Sequence, residues 1–170
     1  PIALVWGEDA NFAAVGNPYI DAGYAILPLK PEWIEIVVTM DKTANPNTLP
    51  AGIGQVSEFT LVIDVGAYGL DSVSVLDTLP AGWSYVDDST TITLPDNSTI
   101  TGNSADPAIA GQNLTWSNFP GVLNVGANGI LTIVYSAETT SIPTTGYVIN
   151  EATVTGTYGG DTFSGSDTAT

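Results

Sequence analysis

Short runs of alternating apolar and polar residues fill most of the chain, and turn-forming residues separate them. Thr, Val and Ile are frequent in the runs, whereas Gly, Pro, Asn and Asp dominate the intervals. This alternation is typical of strands that bury one face. The pattern predicts strands at 34–42, 56–65, 71–78, 83–86, 90–94, 112–117, 130–137 and 147–157, with a weaker strand at 162–169. It predicts loops at 43–54 and 118–129.

Strong helix formers do not cluster anywhere along the chain. Regularly spaced short strands with few helical signals indicate an all-β sandwich or barrel. Trp83 and Trp116 fall within predicted strands, and we expect both rings to lie in the core rather than to form a sugar-stacking surface.

The first six residues, PIALVW, do not alternate, because both faces of a strand built from them would be apolar. A strand of this kind needs to be buried on both sides. A mixed stretch with several prolines follows it. We therefore divide the chain into an N-terminal arm at 1–31 and a single domain at 32–170.

Composition excludes several function classes. The chain has no Cys, His or Arg, and its two Lys stand against 18 acidic residues, for a net charge of −16. Such a surface repels nucleic acid and anionic membranes, and the usual general base and thiolate ligands are missing. We expect no catalytic residues, no cofactor, no metal site, no nucleic-acid partner and no membrane span. The start at Pro1 suggests that a secretory signal was removed, although an arbitrary starting point would look the same.

The segment VSVLDTLPAGWSYV resembles the DUF11-type immunoglobulin-like repeats of archaeal and bacterial surface proteins. Their Asp-x-Leu-Pro-x-Gly motif is matched by Asp77, Leu79, Pro80 and Gly82. Weaker similarities are the Lys of MDKTANP, the Trp of LTWSN and the Asn-x-Ala-x-Val of VINEATVTG. The resemblance covers about residues 34–170. It implies an immunoglobulin-like antiparallel β-sandwich at a cell surface, without enzymatic activity.

Lys42, Asp77 and Asn150 each share the apolar parity of their strand, which predicts that they face the core. Related surface domains join a first-strand Lys to a last-strand Asn by an isopeptide bond, assisted by a buried acid. The resemblance thus implies Lys42 as nucleophile, Asn150 as its target and Asp77 as the acid, since burial lowers the pKa of Lys and raises that of Asp. The alternative is that Lys42 ends its strand in solvent beside a surface acid. Glu58 is a weaker candidate for the acid, because it lies on the polar parity of its strand.

Open sheet edges recruit strands from other chains, and an arm that is apolar on both faces suits insertion into another subunit. The predicted donor strand consists of Ile2, Ala3, Leu4, Val5 and Trp6. Because such a contact is heterologous, its repetition gives a filament. The architecture resembles that of archaeal bundling pili and thread filaments. The alternative is that the arm packs on its own domain as a first strand.

Two N-glycosylation sequons begin at Asn97 and Asn113, and N-linked glycans would suit a surface protein. Together these features predict a structural subunit of an extracellular filament. It would assemble with copies of itself by donor-strand complementation and serve adhesion, cell–cell contact or biofilm. The alternatives are a monomeric carbohydrate-binding or adhesin module, and an S-layer or sheath component.

Overall fold

The computed structural model describes residues 36–66, 68–117, 119, 129–142 and 147–170, and Ile36–Thr170 form one compact unit. This part contains eleven strands and a short 3₁₀ turn at Gly102–Ser104. The strands are β1 Thr39–Asn45, β2 Val56–Asp64, β3 Ser72–Thr78, β4 Trp83–Tyr85, β5 Thr91–Thr93, β6 Thr99–Thr101, β7 Ala108–Ala110, β8 Asn113–Trp116, β9 Ile130–Thr139, β10 Asn150–Tyr158 and β11 Asp161–Ala169.

Two antiparallel sheets form the fold. The first has the order β1-β2-β9-β5-β6, with β4 also pairing with β9, and the second has the order β11-β10-β3-β8-β7. The inner faces of both sheets supply one hydrophobic core, so the chain folds as an immunoglobulin-like β-sandwich, as the sequence predicted. Some neighbours are consecutive in the chain, such as β1 and β2, whereas others, such as β2 and β9 or β3 and β10, come from distant parts of it.

Alternation decides which side chains enter the core. Along β9 every second side chain is buried, from Leu131 to Thr139, and the intervening ones face outward. The ring of Tyr135 lies at the centre of an aromatic group, with centroid distances of 5.3 Å to both Phe59 and Trp116. The two predicted core tryptophans, Trp83 and Trp116, are indeed buried.

Strands β1 and β11 meet at one side of the sandwich, although they belong to different sheets. The backbone N–H of Lys42 donates a 2.8 Å hydrogen bond to the carboxylate of Asp167. A Cβ atom at Gly165 would lie 2.6 Å from the carbonyl oxygen of Val38, so only glycine permits this approach. The close contact brings β1 beside the second sheet, where β10 lies next to β11.

Most predicted strands are present, but their ends differ. The predicted strand 34–42 is wrong in its limits, because β1 begins at Thr39 and continues to Asn45, which pairs with Glu58. The first residues of the predicted loop 43–54 are therefore strand. Strands β6 and β7 were not predicted, since three residues are too few to show alternation.

The predicted donor strand at Ile2, Ala3, Leu4, Val5 and Trp6 lies outside the described residues, so the boundary between arm and domain stays a prediction. Most of the predicted loop 118–129 lies outside them as well. Within the described ranges, no helix has the length and apolar character that crossing a membrane requires.

Candidate functional site: a buried Lys–Asp–Tyr–Asn cluster

The three residues predicted to form a cross-link lie in the core, as their parity indicated. Lys42 is on β1 of the first sheet, whereas Asp77 on β3 and Asn150 on β10 belong to the second. Their exposed fractions are 4% for Lys42, 0% for Asp77 and 2% for Asn150. Since Ala152 pairs with Asp77 across the β10–β3 ladder, Asn150 lies one inward-facing position along β10 from the acid.

A chain of hydrogen bonds links the cluster. The Nζ atom of Lys42 donates to Oδ2 of Asp77 over 2.6 Å, and the hydroxyl of Tyr135 donates to the same oxygen over 2.8 Å. The Nδ2 atom of Asn150 in turn donates to the Tyr135 oxygen over 3.0 Å. The fold therefore brings the predicted nucleophile, acid and amide into one connected group.

Tyr135 is the member of this group that the sequence did not reveal. It lies on the inward-facing side of β9, between Ile133 and Ala137, where the sequence predicts an ordinary aromatic core residue. Its hydroxyl is the distinguishing feature, because a buried Tyr usually pairs that group with a polar partner. The sequence contained one indication of such a residue. Lys42, Asp77 and Asn150 are polar residues on inward-facing positions, and buried polar groups of this kind need additional hydrogen-bond donors.

Burial disfavours the charged forms of both Lys42 and Asp77. Removal from water lowers the pKa of Lys42 from 10.5 to about 8, although the carboxylate of Asp77 acts in the opposite direction. Burial likewise raises the pKa of Asp77, against the effects of Lys42 and of the hydrogen bonds from Tyr135 and Asn150. Both shifts favour the neutral pair, in which the amine proton has moved to the carboxyl group.

Two oxygens in the cluster have no hydrogen-bond partner, Oδ1 of Asp77 and Oδ1 of Asn150. Both are acceptors while Asp77 is ionised, and a buried acceptor without a donor is costly. Protonation of Asp77 changes this balance, because a carboxylic acid can donate to the carboxamide oxygen. In that state the site contains a neutral amine, a polarised amide and an acid, which are the groups needed for amide transfer.

Aromatic rings surround the amine. The Phe59 ring centroid lies 5.6 Å from Nζ of Lys42, and this ring stacks on Tyr135. On the other side, Asn150 borders a cleft of about 500 Å³ that Trp83 and Val148 also line. The burial of Lys42, Asp77 and Asn150 keeps water from the reacting groups.

The remaining predicted sites are at the surface. Asn97 is exposed and sits in a turn with φ = 65°. Asn113 is also exposed, and its side-chain oxygen accepts a hydrogen bond from Thr78. Glu58 faces solvent, and among the described residues it forms no hydrogen bond or ion pair with Lys42. Over the described ranges, acidic residues form no cluster that could hold a metal ion.

No protein-family model matches the chain, and no curated protein matches it in sequence. The resemblance to DUF11-type repeats and to archaeal thread subunits is therefore not confirmed. Solved structures, in contrast, share the fold.

A variant of BcpA, the major pilin subunit of Bacillus cereus, is 14% identical over 78% of this chain and 39% of that chain, with a TM-score of 0.62. The major pilin SpaA of Corynebacterium diphtheriae is 21% identical over 68% of this chain and 31% of that chain, with a TM-score of 0.52. Its structure is described as pointing to a modular pilus assembly stabilizing isopeptide bonds. This chain thus spans well under half of either pilin.

The collagen-binding domain of a Staphylococcus aureus adhesin is 13% identical over 78% of this chain and 97% of that chain, with a TM-score of 0.50. At these identities the similarity establishes the sandwich fold that pilins and adhesins share.

Proposed function

We propose that this chain is a structural domain of an extracellular pilus or adhesin, and that an isopeptide bond between Lys42 and Asn150 locks its sandwich. The observation that carries the proposal is the buried hydrogen-bonded cluster, in which a Lys and an Asn from opposite sheets share one acid. A buried Lys is rare in structural cores. Here the groups around it are the acid and the amide that isopeptide formation requires. The pilin and adhesin neighbours support the same role.

The reaction begins with a proton transfer from the Lys42 ammonium to Asp77 over their 2.6 Å hydrogen bond. The Nζ lone pair then attacks Cγ of Asn150, and the carbonyl electron pair moves to Oδ1, where the proton of Asp77 stabilises it. The excess proton on Nζ moves through Asp77 to Nδ2, so the Cγ–Nδ2 bond breaks with ammonia as the leaving group. The proton on Oδ1 returns to Asp77 as the carbonyl re-forms, so an amide and a protonated Asp77 remain.

The product would connect β1 of one sheet to β10 of the other. Ladders of backbone hydrogen bonds join the strands within each sheet, whereas packing and a few side-chain hydrogen bonds join the two sheets. A covalent bridge would therefore hold together the two layers that a pulling force separates. Such a bond also suits a chain that has no cysteine and cannot form disulfides.

The finer proposal is that this domain polymerises with its own copies and that the arm at 1–31 supplies a donor strand to the next subunit. The support is the apolar PIALVW sequence together with the short edge strands β6 and β7. The alternative is a monomeric adhesin domain, and the near-complete coverage of the staphylococcal collagen-binding domain favours it.

Intact-mass measurement tests the cross-link. The folded chain is expected to weigh about 17 Da less than its sequence mass, because ammonia has left. Lys42→Ala and Asn150→Ala should restore the full sequence mass of each variant, whereas Lys30→Ala, which alters the other lysine, should keep the deficit. A wild-type mass equal to that of the sequence would contradict the proposal.

A further inference from the structure

The hydroxyl of Tyr135 connects the acid and the amide of the proposed cross-linking site. It donates to Oδ2 of Asp77 over 2.8 Å and accepts from Nδ2 of Asn150 over 3.0 Å. The side chain is completely buried, and its ring is held between Phe59 and Trp116. The oxygen is therefore fixed between the group that holds the proton and the atom that must leave.

The number of hydrogen-bond donors and acceptors determines the orientation of the Asn150 carboxamide. A tyrosine has one hydroxyl proton, and here that proton is used in the bond to Asp77. The atom of Asn150 that faces the Tyr135 oxygen must then be a donor, so it is Nδ2 and not Oδ1. This orientation leaves Oδ1 of Asn150 free for the proton of Asp77 and directs the leaving nitrogen to a hydroxyl.

Departure of the amide nitrogen requires one more proton. An amide anion is a very poor leaving group, so Nδ2 must be protonated before the Cγ–Nδ2 bond breaks. Nδ2 donates its hydrogen bond to the Tyr135 oxygen, so the hydroxyl lies beside the leaving nitrogen. Asp77 bonds to the same hydroxyl through Oδ2, so it can reach Nδ2 by way of the tyrosine.

We propose that Tyr135 relays the proton from Asp77 to the leaving nitrogen of Asn150, an inference that rests on the proposed isopeptide reaction. In the tetrahedral intermediate, Oδ2 of Asp77 takes the excess proton from Nζ over their hydrogen bond, and the hydroxyl of Tyr135 turns from Asp77 toward the lone pair now present on Nδ2. The Tyr135 O–H bond breaks as a new N–H bond forms at Nδ2, while the tyrosine oxygen takes the proton of Oδ2, so the hydroxyl is unchanged at the end. The Cγ–Nδ2 bond then breaks, ammonia departs, and the hydroxyl proton of the collapsing intermediate returns to Asp77.

The environment keeps the hydroxyl protonated for this role. Burial and the neighbouring carboxylate of Asp77 raise the pKa of Tyr135 above its usual value. A phenolate is therefore excluded as a resting state, and the group acts by exchanging one proton for another.

The test follows the mass deficit as the full chain folds for the first time, starting from chain recovered from inclusion bodies in denaturant and checked to have its full sequence mass, alongside tryptophan fluorescence as a measure of folding. Tyr135→Phe keeps the ring and removes only the hydroxyl. We expect this variant to fold at the wild-type rate and to lose ammonia at least about tenfold more slowly, within the range for a missing acid–base group. Tyr85→Phe is the matched control, because its hydroxyl bonds to Thr90 and Asp106 outside the cluster, and its rate should equal that of the wild type.

The outcomes separate the two proposals. If the wild type never loses ammonia, the proposed function fails and the relay fails with it. If wild type and Tyr135→Phe lose ammonia at the same rate, the relay alone is overturned. Should Tyr135→Phe not fold, replacement of all tyrosines by 3-fluorotyrosine keeps their shape and makes the phenol more acidic. A faster mass change would then support the relay, and an unchanged rate would overturn it.

Discussion

The ammonium nitrogen of Lys42 lies 2.6 Å from a carboxylate oxygen of Asp77, and both side chains are completely shielded from solvent. A buried ion pair of this kind is poor evidence for stability, because desolvation offsets much of the attraction. The amide oxygen of Asn150 without a partner makes the arrangement still more costly. The proposed cross-link gives this costly pair a role as the reactant state of a chemical step.

Removing the acid should stop the reaction while preserving the shape of the site. Asp77→Asn is expected to fold with Lys42 and Asn150 unlinked, and so to keep its full sequence mass. Its free energy of unfolding should fall by about 5 kcal/mol, the magnitude for opening a covalent loop on the order of 100 residues. Intact mass and urea unfolding measure both effects. Asp106→Asn is the control, because Asp106 bonds to Tyr85 outside the cluster, and this variant should retain the mass deficit. Loss of the deficit in Asp106→Asn would contradict the assignment of Asp77.

The pH dependence of stability should reveal whether Lys42 is free. In Asn150→Ala, which cannot cross-link, we expect the buried Lys42 to keep its folded pKa of about 8, against 10.5 in the unfolded chain. Between these values the unfolded chain binds more protons, so stability rises with pH, by about 2 kcal/mol between pH 8 and pH 10. The raised pKa of Asp77 acts in the other direction at lower pH, since the folded state holds a proton that the unfolded state has lost.

In the cross-linked wild type the nitrogen of Lys42 is an amide and does not titrate. The rise in stability above pH 8 should therefore be absent. Thermal unfolding of both proteins at pH 7, 8, 9 and 10 makes the comparison, and an equal rise in both would show that the wild-type amine is free.

The contact between β1 and β11 should depend on the missing side chain at Gly165. In Gly165→Ala the new methyl group would meet the carbonyl oxygen of Val38 at 2.6 Å and its carbon at 3.2 Å. Backbone must move to relieve this contact, and we expect a loss of about 1–3 kcal/mol in unfolding free energy. Gly52→Ala is the control, because its methyl group would meet only the flexible Gln55 side chain. Equal unfolding free energies of the two variants would contradict a close contact between β1 and β11 at Gly165.

The two sequons should differ if the protein is made in a host that attaches N-linked glycans. Asn97 is exposed in a turn, whereas Asn113 lies in β8 and is held by a hydrogen bond from Thr78. We expect a glycan at Asn97 more often than at Asn113. Glycopeptide mass spectrometry of the wild type, Asn97→Gln and Asn113→Gln measures the occupancy of each, and greater occupancy at Asn113 would contradict this order.

Deletion of residues 1–15 tests the proposed donor strand. The shortened chain should keep the fold and the mass deficit of the sandwich, because the cross-linking cluster lies in residues 42–150. It should also lose any ability to form filaments, as seen by negative-stain microscopy and by gel filtration. Filaments that persist after the deletion would exclude donation by this segment, and a wild type that stays monomeric would favour the adhesin alternative.

Which residues face the core could be predicted from the sequence, because side-chain direction in a strand follows a period of two. Lys42, Asp77 and Asn150 stand on the apolar parity of their strands, and all three are buried. The sandwich class followed from the same alternation. These properties are local, so no knowledge of strand pairing was needed.

Which of the inward-facing residues contact one another could not be predicted in this way and became known from the folded structure. The register of β10 with β3, the approach of β1 to β11 through Gly165, and the hydroxyl of Tyr135 between Asp77 and Asn150 all join strands that are distant in the chain. Such contacts depend on the packing of two sheets and not on the residues along one strand. An aromatic residue on a core parity looks the same in sequence whether its hydroxyl serves a reaction or merely fills space.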